Sequence, residues 1–183
     1  MTETASRHQR AATRRAAASH HDNSRSKDRG PSPSRMPDHE REVIADALAI
    51  LSRYVVEPGV KIEDRRALQQ FLQLRLSQET AECFAVLYLD QHQRSIAFEV
   101  PFRGTVNHAV VYPREIARSA LMHNATAVIL AHNHPSGVAK PSKSDEHMTH
   151  ALVSALDLLG VRVLDHFIVT GTGCASLLEM GLL

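Results

Sequence analysis

The apolar run from Ala125 to Leu130 constrains this chain more than any other segment. It is short, it is bounded by turn-forming residues, and it reads as a strand buried on both faces. The strand ends in His132-Asn133-His134-Pro135-Ser136-Gly137, where Pro and Gly force a loop. Side chains at i and i+2 of a strand point the same way. Two imidazoles, those of His132 and His134, therefore project together from a sheet edge where the backbone is about to turn.

The elements around this strand alternate in type. Val43, Ile44, Ala47, Leu48, Leu51 and Val55 recur at helical spacing, and Pro58-Gly59 ends that helix. A second helix is expected from about Glu63 to Leu76, with Leu68, Phe71, Leu72 and Leu76 on one face. Cys83 to Leu89 and Ser95 to Val100 read as a strand pair across the turn-like Asp90-Gln91-His92-Gln93. Val110-Val111-Tyr112 suggests another short strand. Pro113 then opens a helix that runs to about His123. A further helix is expected from Ser142 to Leu159, stopping at Gly160, before a last core strand from Val161 to Val169 and a Gly-rich coda from Gly171. Helices alternating with strands, hairpins included, imply an α/β (α+β) fold: a mixed β-sheet sandwiched by helices.

Residues 1–38 differ from the rest. They are rich in Ala, Arg and Ser, nearly devoid of large apolar residues, and carry eight Lys/Arg against four Asp/Glu. Such a segment cannot bury enough surface to offset its ordering entropy and reads as a disordered basic tail. The remainder carries 13 Lys/Arg against 16 Asp/Glu, so the net charge of +1 conceals an acidic body. The expected organisation is a tail over 1–38, a helix over 39–62 and a globular domain over 63–183. No apolar run suits a membrane span or a signal peptide. The two cysteines, Cys83 and Cys174, match neither a disulfide framework nor a zinc ribbon, so a cytoplasmic location is expected.

Two imidazoles at a strand end suit two nitrogen ligands on one Zn²⁺. Asp145, eleven residues after His134 and in the first turn of the next helix, can supply a third ligand. Two His and one Asp would leave the fourth position to water, as in a catalytic zinc site. Each feature also has a plainer meaning. Ser142-Lys143-Ser144-Asp145 is a capping-box-like helix start, and a lone His-x-His is common on surfaces. His166 reads as a packed core histidine or as a partner of the site. His147 and His150 read as surface residues, and Cys83 as a buried hydrophobe.

His132-x-His134, seven residues, then Ser142-x-x-Asp145 resembles the JAMM motif of the MPN/JAB metallopeptidases. Phe102-Arg103-Gly104-Thr105, Tyr112-Pro113-Arg114-Glu115, Ala127 to Gly137 and Leu164-Asp165-His166 resemble its RadC-like branch. The resemblance covers roughly residues 63–183. It implies a cytidine-deaminase-like fold with one zinc per chain held by His132, His134 and Asp145. It also implies a catalytic glutamate at the start of the first strand. Glu82, two residues before Phe84, fits that pattern, and Glu79 is its nearest rival; without the resemblance Glu82 reads as a solvated charge.

The expected activity is zinc-dependent hydrolysis of a peptide or isopeptide bond in a protein or peptide substrate. Glu82 would be the general base, and Ser142 and the metal would stabilise the oxyanion. Longer family members join a DNA-binding helical hairpin to this domain. Residues 1–62 offer only a polar tail and one helix, so the chain resembles the short form. The alternative reading is a DNA-associated protein whose zinc is structural and whose Arg-rich tail grips phosphates.

Overall fold

A computed structural model describes residues 36–104 and 111–183. Strands β1 (Cys83–Leu89) and β3 (Ala127–Asn133) are buried along their whole length, because helices cover both faces of the sheet they centre. β2 is Ser95–Arg103, β4 Arg162–Val169 and β5 Cys174–Ser176. The sheet order is β2-β1-β3-β4-β5. Only β3 and β4 run parallel; the other neighbours are antiparallel. The sheet is thus mixed, as expected from hairpins and crossovers occurring together.

The alternation of β1 divides the core in two. Cys83, Ala85, Leu87 and Leu89 point to one face, where they meet Leu68, Phe71, Leu72 and Leu76 of α2 (Arg65–Leu76) and Val55 of α1 (Asp38–Val55). Phe84, Val86 and Tyr88 point to the other. There they pack against Ile116 and Ala120 of α3 (Pro113–Met122) and Leu152 and Leu156 of α4 (Lys143–Asp157). Each fully buried Leu or Phe contributes about 1.5–3 kcal/mol by leaving water. Cys83 is a buried member of the first layer, as its alternation predicts.

Two helix starts carry their own caps. The Asp64 side chain accepts the Ala67 N–H at 3.0 Å, so α2 begins two residues later than the sequence pattern suggests. Ser142 and Asp145 form a reciprocal capping box at the start of α4. α4 is the crossover between the parallel strands β3 and β4, and this β-α-β unit sets its N-terminus beside the carboxyl end of β3.

β2 runs to Arg103, beyond the expected Val100, because Phe102 and Arg103 still pair with Phe84 and Cys83. The coda contains a fifth strand, β5, paired with β4. Its Ser176 hydroxyl donates to the buried Asp165 carboxylate of β4, which also receives Arg65 of α2 at 2.6 Å. Polar tertiary bonds thus add to the packing of Cys174 and the buried Leu177 at this edge. Val111 and Tyr112 lie in no strand, and Val110 lies outside the described residues. The expected basic tail also lies outside them up to residue 35, and the DNA-binding alternative that rests on it lies there too. No helix among the described residues is long and apolar enough to cross a membrane.

Candidate metal centre

Three side chains converge at the carboxyl end of β3. His132 and His134 project from the face covered by α3 and α4, and Asp145 reaches them from the first turn of α4. The two Nε2 atoms lie 2.9 Å apart. His132 Nε2 is 3.3 Å from Asp145 Oδ1, and His134 Nε2 is 3.4 Å from Asp145 Oδ2. Donors around a tetrahedral ion at Zn–N distances stand roughly 3.3–3.4 Å apart; the two His–Asp separations match this and the His132–His134 separation is shorter. This is the one such group found among the described residues, with its ligand atoms all within 4.8 Å of one another. His132 is fully buried, whereas the His134 side chain is 15% exposed, so the site meets solvent on the His134 side.

Each of the three side chains is held from behind. His134 Nδ1 donates to the Val138 carbonyl at 2.8 Å, which turns its Nε2 inward. The intervening loop makes this bond because Gly137 adopts φ +80°, a conformation open to glycine. Phe84 stacks on the His132 ring, 6.4 Å between centroids and 11° between planes. His132 Nδ1 lies 2.8 Å from Nε2 of the buried His166 of β4, whose Nδ1 lies 2.7 Å from Thr149 Oγ1 of α4. The Ser142 N–H and hydroxyl both donate to Asp145 Oδ2 at 2.7 Å.

The electrostatics follow from this crowding. Burial pushes the Asp145 carboxyl up, but the adjacent His132 and His134 rings and the Ser142 hydrogen bond outweigh it and hold the group far below the usual carboxylate range. The Asp145 carboxylate in turn raises His134 above the ordinary histidine value, against the effect of burial. Burial drives His166 well below that value, reinforced by His132.

A family model, the RadC-like JAB domain, matches residues 62–182. The chain belongs to the RadC-like JAB domain family. Among its RadC-like relatives, a UPF0758 protein of Methylibium petroleiphilum is 56% identical over 118 residues, 64% of this chain and 53% of that protein. The chain thus spans about half the length of that relative. UPF0758 protein YkfG of Escherichia coli K12 is 45% identical over 151 residues, 82% of this chain and 96% of the relative. UPF0758 protein YeeS of the same strain is 48% identical over 144 residues, 79% and 97% respectively.

The mixed α+β sheet agrees with a RadC-like JAB domain. Glu82, half-buried, immediately precedes β1. The β1–β3 register pairs Phe84 with His132, and Glu82 stands two residues before Phe84. The Glu82 charge contributes to the raised proton affinity of His134, after Asp145 and Val138. The Glu82 carbonyl accepts the Gly104 N–H at 2.8 Å, which fixes the backbone at that point. Glu79 is engaged elsewhere: Arg103 grips both its oxygens at 2.6 and 3.0 Å, and Arg75 adds a third bond at 3.2 Å. His147 and His150 are exposed on α4.

Sequence reasoning passed over two residues of this RadC-like site. Asn133 faces away from the histidines that flank it. Its amide accepts the Cys83 N–H at 2.7 Å and donates to the Glu79 and Ala81 carbonyls at 3.2 and 3.0 Å. Thr149 is the other. Its position one helical turn after Asp145 was the available signal, since i and i+4 share a helix face.

Proposed function

We propose that this chain is a zinc-dependent hydrolase of amide bonds, acting on a peptide or isopeptide linkage in a protein or peptide. The observation that carries the reading is the convergence of two imidazole nitrogens and one carboxylate, 2.9–3.4 Å apart, on a rim open at His134. Zn²⁺ held by His132, His134 and Asp145 would supply Lewis acidity and lower the proton affinity of water into the neutral range. Glu82, whose charge reaches His134, takes the proton of the attacking water and returns it to the leaving nitrogen. Ser142 stands at the mouth of the site. Its hydroxyl, bonded to Asp145 in the absence of substrate, turns to donate to the oxyanion of the tetrahedral intermediate.

The test uses the full chain with zinc and after chelation, offered a peptide library and an isopeptide-linked lysine substrate in H₂¹⁸O. The expected result is a new carboxyl group carrying one solvent ¹⁸O, formed only with the zinc-loaded protein. Equal cleavage by the chelated protein, or full zinc occupancy with no cleavage of either class, would overturn the reading.

A further inference from the structure

Resting on the reading of His132, His134 and Asp145 as metal ligands, we propose that Thr149 and His166 are positioning residues: a hydrogen-bonded relay through them selects the tautomer of His132 that binds metal.

The direction of every bond in the relay follows from its far end. The Thr149 hydroxyl lies 2.6 Å from the Asp145 backbone carbonyl, which can only accept, so its one proton points there. The 2.7 Å bond between Thr149 Oγ1 and His166 Nδ1 must then be donated by His166. His166 is fully buried and no carboxylate oxygen touches either ring nitrogen, so the ring is neutral. A neutral ring with its proton on Nδ1 presents a lone pair at Nε2. The 2.8 Å bond to His132 is therefore donated by His132 Nδ1. This leaves the His132 Nε2 lone pair facing the site. His134 likewise keeps a proton on Nδ1, donated to the Val138 carbonyl.

The Nε2 atoms of His132 and His134 lie 2.9 Å apart beside the Asp145 carboxylate. A metal ion or a proton at that point is shared by all three groups. The relay also closes on itself, because it starts at the backbone of Asp145 and ends at the metal-facing side of His132. One helix turn thus supplies a ligand carboxylate and fixes the tautomer of the ligand opposite it. Thr149 suits this role because its single proton is already committed to the helix backbone. Valine has the same shape and no acceptor; serine keeps the acceptor.

The test measures imidazole tautomers in the metal-free full chain by long-range ¹H–¹⁵N NMR correlation on ¹⁵N-histidine protein, and Zn²⁺ and Co²⁺ affinity by competition titration. His132 and His166 should both carry their proton on Nδ1. Thr149→Val should shift His166, and with it His132, towards the Nε2–H form. It should also weaken metal binding by about 10–100-fold, the usual effect of losing a group that orients a ligand. Thr149→Ser should restore both readouts. The relay is overturned if His132 of the parent protein carries its proton on Nε2, or if Thr149→Val folds and leaves tautomers and affinity unchanged. Failure of the metal-site reading would look different: no metal uptake by the parent, with the Nδ1–H tautomers still in place.

Discussion

The Oδ1 of Asn133 accepts the backbone N–H of Cys83 at 2.7 Å, from β3 to the first residue of β1. The residue between the two histidines thus works on the opposite face of the sheet from them. Together with its donations to the Glu79 and Ala81 carbonyls, it holds in place the short segment that carries Glu82. The two histidines and the proposed base are therefore set by three consecutive residues at the end of β3.

Asn133→Ala should strip a buried N–H and two carbonyls of their partner. A destabilisation of about 1–3 kcal/mol is expected, the cost of leaving a buried polar group unpaired. Asn133→Asp should be no milder, because a carboxylate would face two carbonyl oxygens. Urea unfolding of the metal-free chain measures both. Unchanged midpoints would mean that the segment before β1 is held by other means.

Glu82→Gln should keep the shape of the side chain and leave metal content unchanged. An amide cannot accept the water proton, so turnover should fall by about 10²–10⁴. KM should move little. Parent-level turnover at full metal occupancy would remove Glu82 from the mechanism.

Ser142→Ala should remove both halves of what the hydroxyl does in the substrate-free protein: the cap on α4 and the bond to Asp145 Oδ2. Loss of a Ser N-cap costs about 0.5–2 kcal/mol. Ser142→Asp should recover the cap but set a second carboxylate against Asp145. Thermal unfolding should therefore separate the two variants at low ionic strength. Identical melting of parent and Ser142→Ala would show that the capping box adds nothing to stability.

Glu79 gives a pH-dependent term of definite sign. Hydrogen bonds from Arg103, then Arg75, hold its carboxyl below the ordinary value of 4.5 against the effect of burial. A depressed pKa stabilises the fold above the unfolded-state value, and the gain is lost as pH falls through the folded-state value. Arg103 is half exposed, so the gain should be no more than about 1 kcal/mol. Denaturation of parent and Glu79→Gln should differ at neutral pH and converge as pH falls below the ordinary carboxylate value. A difference that grows on acidification would reverse the assigned direction.

Much of this protein was legible along the chain because its signals are local. The period-2 alternation of β1, the apolar run of β3 and the helical spacing of Leu68, Phe71, Leu72 and Leu76 each depend on neighbours a few residues apart. So does the common facing of His132 and His134, and so does the Ser142–Asp145 cap. Partnerships between distant segments were not legible in this way. His166 meets His132 across 34 residues, and Asn133 meets Cys83 across 50. β5 is three residues long and owes its place to Ser176 and Asp165. These contacts depend on which strands become neighbours, and periodicity says only which way a side chain points from its own strand. The amino-acid sequence by itself determined the elements, their buried faces and the pair of imidazoles at a strand end. The order β1-β3-β4, with α4 crossing over it, decided what those imidazoles face, because only that packing brings Asp145, Thr149 and His166 to the end of β3.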